Sequence, residues 1–232
     1  MWDDAQALRK LTWTLFGASV LLLLAAALGY ALLLPVFALR TVQLDAAPLR
    51  VDRGQLEAAV RDSLHGNFFT VNLDQARRSF EKLPWVRRVS VRRHFPWQLD
   101  VALEEHQALA RWNGTALVNT EGEVFVAKAA DALPEFTGPE GAAAEMAQRY
   151  TRFSEMLAPL GLGVAQITVS SRYAWQLRLK DGAVLELGRE QVDERLERFA
   201  AAYPQYLAAM KAPAKFVDLR YRNGFAARLA TS

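Results

Sequence analysis

From Leu11 through Leu39 the chain carries no Lys, Arg, Asp or Glu, a run of 29 residues of which eleven are leucine. As a helix it would rise about 43 Å, more than the roughly 30 Å of a bilayer's hydrocarbon core. Each leucine near the centre favours insertion by roughly 0.5 kcal/mol, and no charge costing roughly 3 kcal/mol opposes it. A cleavable signal peptide has an apolar stretch of only about 7 to 15 residues. This one continues through Leu32-Leu33-Leu34, past the small-residue patch Ala25-Ala26-Ala27. A buried soluble helix would have other long apolar helices beside it, and no later segment is comparably apolar. The pattern predicts one transmembrane helix over residues 11–39, with Trp2, Trp13 and Tyr30 as interfacial anchors and Pro35 in the last turn.

Residues 1–10 form a short tail on one side and about 190 residues follow on the other. Arg9 and Lys10 precede the span, but Asp3 and Asp4 dilute them and Arg40 follows it, so positive-inside counting gives a slight bias only. The expected arrangement is a single-pass type II protein with a cytoplasmic tail and the bulk of the chain periplasmic.

The remaining composition excludes more than it assigns. With 28 basic and 25 acidic side chains the net charge is only +3, a mixed surface rather than a polyanion-binding one. Cysteine is absent, which rules out disulfides and thiolate metal sites. His65, His94 and His106 are scattered without metal-ligand spacing. No nucleophile elbow or phosphate loop is present. Neither a cofactor nor a metal site is expected.

Residues 40–109 read as one domain. Thr41-Val42-Gln43-Leu44-Asp45 alternates as a strand. Over residues 52–64, Leu56, Ala59, Val60 and Leu64 share a helical face, with Gly66 as a stop. Asn72 is placed to cap a second helix carrying Leu73, Ala76, Phe80 and Leu83, ended by Pro84. Two strands follow, residues 86–93 and 98–104, joined by the turn His94-Phe95-Pro96. Val89 and Val91 oppose Arg88 and Arg92 on the first, while Leu99, Val101 and Leu103 oppose Asp100 and Glu104 on the second. The order strand, helix, helix, strand, strand predicts a three-stranded sheet with two helices on its apolar face. Seven basic residues lie between Arg77 and Arg93 with only Glu81 among them. No aromatic platform interleaves to stack bases, so they read as a solvated sheet face paired with Asp100, Glu104 and Glu105 rather than a nucleic-acid site.

Residues 110–232 read as a second domain. Trp112-Asn113-Gly114-Thr115 and Thr120-Glu121-Gly122 flank short apolar runs as turns of a meander. A helix over residues 142–157 presents Met146, Tyr150, Phe153 and Leu157, and Pro159, Gly161 and Gly163 close it. Trp175, Leu177 and Leu179 match Ala183, Leu185 and Leu187 across a hairpin only if Lys180-Asp181-Gly182 is a three-residue loop with Gly182 left-handed. A helix over residues 191–203 carries Val192, Leu196, Phe199, Ala200 and Tyr203, with Pro204 as its end. The same reasoning matches Val217, Leu219 and Tyr221 with Phe225, Ala227 and Leu229 across the loop Arg222-Asn223-Gly224. A last strand beginning at Phe225 would lie at a sheet edge with open N–H and C=O groups, carrying Arg228 but no proline to blunt it. Such an edge invites another chain's strand.

Three motifs then point to a family: Leu83-Pro84-Trp85-Val86 followed by Val91-Arg92-Arg93-His94-Phe95-Pro96; Leu117-Val118-Asn119-Thr120-Glu121-Gly122-Glu123-Val124-Phe125; and Val217-Asp218-Leu219-Arg220-Tyr221-Arg222-Asn223-Gly224. In combination they resemble the FtsQ/DivIB family of bacterial cell division proteins over nearly the whole chain. The resemblance implies an α+β architecture: an N-terminal transmembrane helix, a POTRA domain (β-α-α-β-β), then a mixed β-rich domain with antiparallel hairpins and flanking helices. It also implies a non-catalytic, inner-membrane scaffold of the division machinery at the septum, linking early and late division proteins. Its partners would be FtsB in complex with FtsL, bound by strand addition, and other division proteins through the POTRA domain and span. Carried over by motif, the binding residues are Arg220, Tyr221, Asn223, Gly224, Phe225, Ala226 and Leu229. Some members carry a large aromatic near the position of Leu229, where this chain has leucine.

Two other classes fit the residues less well. A glycan hydrolase would need an acid and a base carboxylate, and Glu104, Glu105, Asp193, Glu194 and Glu197 all fall on polar faces of predicted elements. A POTRA-type accessory protein of a different envelope secretion or assembly machine is the alternative binding reading; an outer-membrane transporter would need a barrel that about 120 residues with two helices cannot form.

Overall fold

The structure, a computed structural model, describes residues 5–32, 34–64, 66–130, 132–207, 214–222 and 224–229. His65 and Leu33 lie outside the described residues. The chain divides into two compact units, one reaching Glu105 and the other starting at His106.

Helix α1 spans Ala5–Leu32 and so takes in Arg9 and Lys10 as well as most of the uncharged run. Residues Leu8–Leu32 are long and apolar enough to cross a membrane. The helix stops seven positions before residue 39, the expected limit. Pro35 has no N–H to give Ala31 and its ring disfavours helical backbone at the residue before it. The Leu34 N–H bonds to the Ala31 carbonyl, and Pro35–Phe37 form a 3-10 turn instead.

The rest of the first unit follows the expected order: β1 (Thr41–Leu44), α2 (Arg53–Ser63), α3 (Leu73–Phe80), β2 (Val86–His94) and β3 (Gln98–Glu105). Asp52 caps α2 by accepting from the Gln55 N–H at 2.9 Å, and Asn72 caps α3 by accepting from Gln75 at 3.0 Å. The sheet order is β1-β3-β2, with β3 parallel to β1 and antiparallel to β2. Leu56, Ala76, Phe80, Val89, Leu99 and Val101 fill the space between helices and sheet. On the solvent face Arg88 stands opposite Glu104 and Arg92 opposite Asp100, as the alternation predicts. Arg87 reaches Glu104 at 2.6 Å. Glu105 differs from expectation. Its carboxylate accepts the backbone N–H groups of Leu49, Arg50 and Val51, so it ties down a loop instead of facing arginines.

The second unit holds β4 (Ala108–Trp112), β5 (Ala116–Asn119), β6 (Val124–Phe125), β7 (Glu135–Thr137), α4 (Ala143–Leu157), β8 (Val164–Val169), β9 (Trp175–Leu179), β10 (Val184–Gly188), α5 (Val192–Tyr206), β11 (Ala214–Asp218) and β12 (Ala226–Leu229). They form a nine-stranded sheet in the order β12-β11-β10-β9-β8-β7-β4-β5-β6, with three parallel pairs: β10–β11, β7–β8 and β4–β7. Met146, Phe153 and Leu157 of α4 and Leu196 and Phe199 of α5 are buried with Phe136, Ile167, Leu177 and Leu185 of the sheet. The β9–β10 hairpin has the expected register: Leu177 faces Leu185, the Leu179 N–H bonds to the Ala183 carbonyl, and Gly182 is left-handed at φ 91°. A bulge then puts Trp175 opposite Gly188 rather than Leu187.

Pro204 does not end α5. The helix runs on to Tyr206, because Leu207 continues the face of Phe199 and Tyr203 and is itself buried. Burying that side chain outweighs the hydrogen bond that proline removes in the last turn.

Candidate functional site

β12 is the terminal strand of the nine-stranded sheet, bonded among the described residues to β11 on one side only. An edge strand leaves alternate N–H and C=O groups without an internal ladder partner. All four of its residues, Ala226 to Leu229, are exposed.

The register that builds this edge differs from the expected one. Val217 pairs with Ala227 and Asp218 with Ala226, so the connection runs over residues 219–225 and not over 222–224 alone. The slip is two residues, which keeps every side chain on its expected face. Asp218 causes it. Its Oδ1 accepts the Arg220 N–H at 3.0 Å in an Asx turn that leads the chain out of the strand. The Arg220 guanidinium folds back on the same carboxylate, Nε to Oδ1 at 2.9 Å and Nη2 to Oδ2 at 2.7 Å. That pairing holds the Asp218 carboxyl below the usual carboxylate range and raises Arg220 further above its already high value. Leu219 stays buried, and its N–H bonds to the Glu186 carbonyl of β10.

The seven residues expected at the partner site are therefore placed as follows. Arg220 is ion-paired, and Tyr221 stands exposed in a bend rather than on a strand. Asn223 lies outside the described residues. Phe225 precedes the strand that was expected to begin with it, half-buried with its ring edge-on to Phe199 at 6.3 Å. Ala226 and Leu229 open and close β12. Gly224 and Phe225 also line a groove of about 340 Å³ with Leu219 and the α5 residues Phe199, Ala202 and Tyr206, and Arg198 stands exposed at its rim. The α5 side of this groove was not foreseen. Stopping the helix at Pro204 hides Tyr206, and reading Phe199 and Tyr203 as core leaves no reason to look between them.

Edge and groove together can do one thing chemically: accept an extended chain along the strand and an apolar side chain beside it. Of the five carboxylates that a hydrolase could use, Glu194 stands exposed in the first turn of α5 and the other four are engaged otherwise. Glu104 pairs with Arg87, Glu105 accepts three backbone N–H groups, Asp193 lies 3.3 Å from Arg149, and Glu197 lies 3.1 Å from Arg152. Among the described residues no group of His, Asp or Glu is arranged to hold a metal ion.

Two family models match the chain. Residues 37–106 match the POTRA domain of FtsQ type, and residues 110–220 match the C-terminal region of the cell division protein FtsQ/DivIB. The chain is 41% identical to the cell division protein FtsQ of Nitrosospira multiformis over 98% of its own length and 99% of the relative's. The chain belongs to the FtsQ/DivIB family. Similar relatives named cell division protein FtsQ occur in Burkholderia pseudomallei, 39% identical over 99% of this chain and 95% of that one, and in Neisseria gonorrhoeae, 36% identical over 99% and 96%. The family is one of cell division proteins, and its α+β plan of apolar helix, POTRA domain and β-rich domain is the architecture described above. A role in the division machinery follows, and among the described residues one apolar helix is consistent with membrane anchoring.

Proposed function

We propose that this protein is a non-catalytic scaffold of the division machinery, anchored in the inner membrane by α1 with both units in the periplasm, and that it binds FtsB, in complex with FtsL, by adding a strand of FtsB along β12. The observation that carries the proposal is the position of β12: a four-residue strand at the open edge of a nine-stranded sheet, beside an apolar groove, in a member of the FtsQ/DivIB family. Backbone ladder bonds would supply affinity and the groove would select the partner's side chain. Arg220, Tyr221, Asn223, Gly224, Phe225, Ala226 and Leu229 form the proposed contact set.

The test is a pull-down of FtsB–FtsL by the full-length chain. Tyr221→Ala and Phe225→Glu should each abolish capture while circular dichroism and membrane insertion stay unchanged. Because Phe225 touches Phe199, Tyr221→Ala, whose side chain is exposed, separates lost binding from lost packing. Undiminished capture by both variants would remove the edge as the site.

A further inference from the structure

Where the chain leaves α1, large apolar side chains collect that the first unit does not bury. Leu34, Val36, Phe69, Phe95 and Trp97 are 38% to 68% exposed. A single exposed apolar residue is ordinary, but a contiguous group marks a surface that meets something less polar than water. Phe69 and Phe95 belong to one chain of ring contacts that passes through the buried Phe68. Phe37 touches Phe69 with ring centroids 5.0 Å apart, Phe69 touches Phe68 at 5.2 Å, and Phe68 touches Phe95 at 5.8 Å. Arg40 lies over the Trp97 ring at 5.1 Å, and its N–H bonds to the Trp97 carbonyl.

This group is also fixed to the end of the span. Asn67 donates through Nδ2 to the Leu32 carbonyl, and the Phe68 N–H bonds to the Phe37 carbonyl. The Arg93 guanidinium holds the same loop through the Phe68 and Val71 carbonyls. A helix over Leu8–Leu32 rises about 37 Å against a hydrocarbon core of about 30 Å, so an upright span leaves Leu32 at the hydrocarbon edge. Side chains tied to Leu32 then fall in the headgroup layer, where tryptophan and other amphipathic rings are favoured and an arginine can reach lipid phosphates.

We propose that this aromatic group with Arg40 seats the first unit on the bilayer interface, so that the unit is held against the lipid surface and not merely tethered to it. The proposal rests on the membrane anchoring stated above. Its test uses the absence of cysteine from the natural chain. Full-length protein carrying a nitroxide on Phe95→Cys, Leu22→Cys or Arg88→Cys is reconstituted in phosphatidylethanolamine–phosphatidylglycerol vesicles. Collision rates with oxygen and with a water-soluble nickel chelate are then compared. Arg88 lies six residues back along β2 from His94, about 20 Å away. The label at 95 should favour oxygen severalfold more than the label at 88, with the label at 22 deeper still.

A label at 95 as water-accessible as that at 88, with 22 still buried, overturns the seating and leaves the anchor standing; a water-accessible label at 22 overturns both. Protection of 95 only on adding FtsB–FtsL would assign the patch to a protein and overturn the lipid proposal. Since a nitroxide is itself apolar, the native rings are tested with the label on His94→Cys. Phe69→Ser with Phe95→Ser should carry that label toward water, and an unchanged depth would overturn the proposal.

Discussion

The two ends of the nine-stranded sheet are finished in opposite ways. At the β6 end the last strand is two residues long, and the turn before it is bound up by one buried side chain. Asn119 Oδ1 accepts the N–H groups of Glu121 and Glu123, and Nδ2 donates to the Glu123 carboxylate at 2.7 Å. His106 lies beside it, stacked on Phe125 at 4.1 Å. Gly122, left-handed at φ 83°, passes so close to Ala144 of α4 that any side chain would collide with its backbone. At the β12 end the strand is twice as long, all its residues are exposed, and the side-chain pairing seen among the described residues of its loop is that of Asp218 with Arg220. One end spends its polar groups internally and the other keeps them available. Short, tied-off edges are how sheets avoid pairing with strangers, and the contrast at β12 is what the proposed docking would use.

Gly122→Val is the strongest way to break that contrast. It should cost about 3 kcal/mol or more, by collision with Ala144 and by strain at a left-handed position. Denaturant unfolding of the full chain should show a lower midpoint. A chain ended after Phe225, which removes β12, should lose about 1 kcal/mol or less, since ladder bonds worth roughly 1 kcal/mol each are offset by ordering entropy of similar size. That chain should still melt cooperatively but no longer capture FtsB–FtsL; a collapse in stability instead would make β12 part of the fold's support.

The smallest effect is electrostatic. Arg220 lowers the folded-state pKa of Asp218 below its unfolded value near 4. The stabilisation is therefore complete above about pH 4 and is lost as pH falls through the lower folded value. The Arg220 side-chain N–H resonance should titrate in that acid range, and in Asp218→Asn it should show no such titration.

What the sequence makes legible is what alternation and caps encode. Asp52 and Asn72 start helices where they stand, and the Lys180-Asp181-Gly182 loop follows because any shorter turn would set Arg178 against Leu185. The β12 register is not legible in this way, since a slip of two preserves each face and the Asx turn at Asp218 decides it. β8 escapes notice because a bulge between Val164 and Gln166 breaks its alternation, leaving Val164, Ile167 and Val169 as the inward residues. Glu105 shows the same limit: the alternation carries the strand to Glu104, and the capture of three loop amides by the next residue depends on a fold that must exist first.

The antiparallel join of β12 to β11 also bears on mechanics. Ladder bonds lie across the strand direction, so tension drawn along a chain docked on β12 would be shared by the whole ladder in shear, where a perpendicular tug would unzip it one bond at a time. From β11 the load passes through β10 into the broad interior of the sheet. A protein gripped at this border is suited to resist traction directed lengthwise and to let go when peeled.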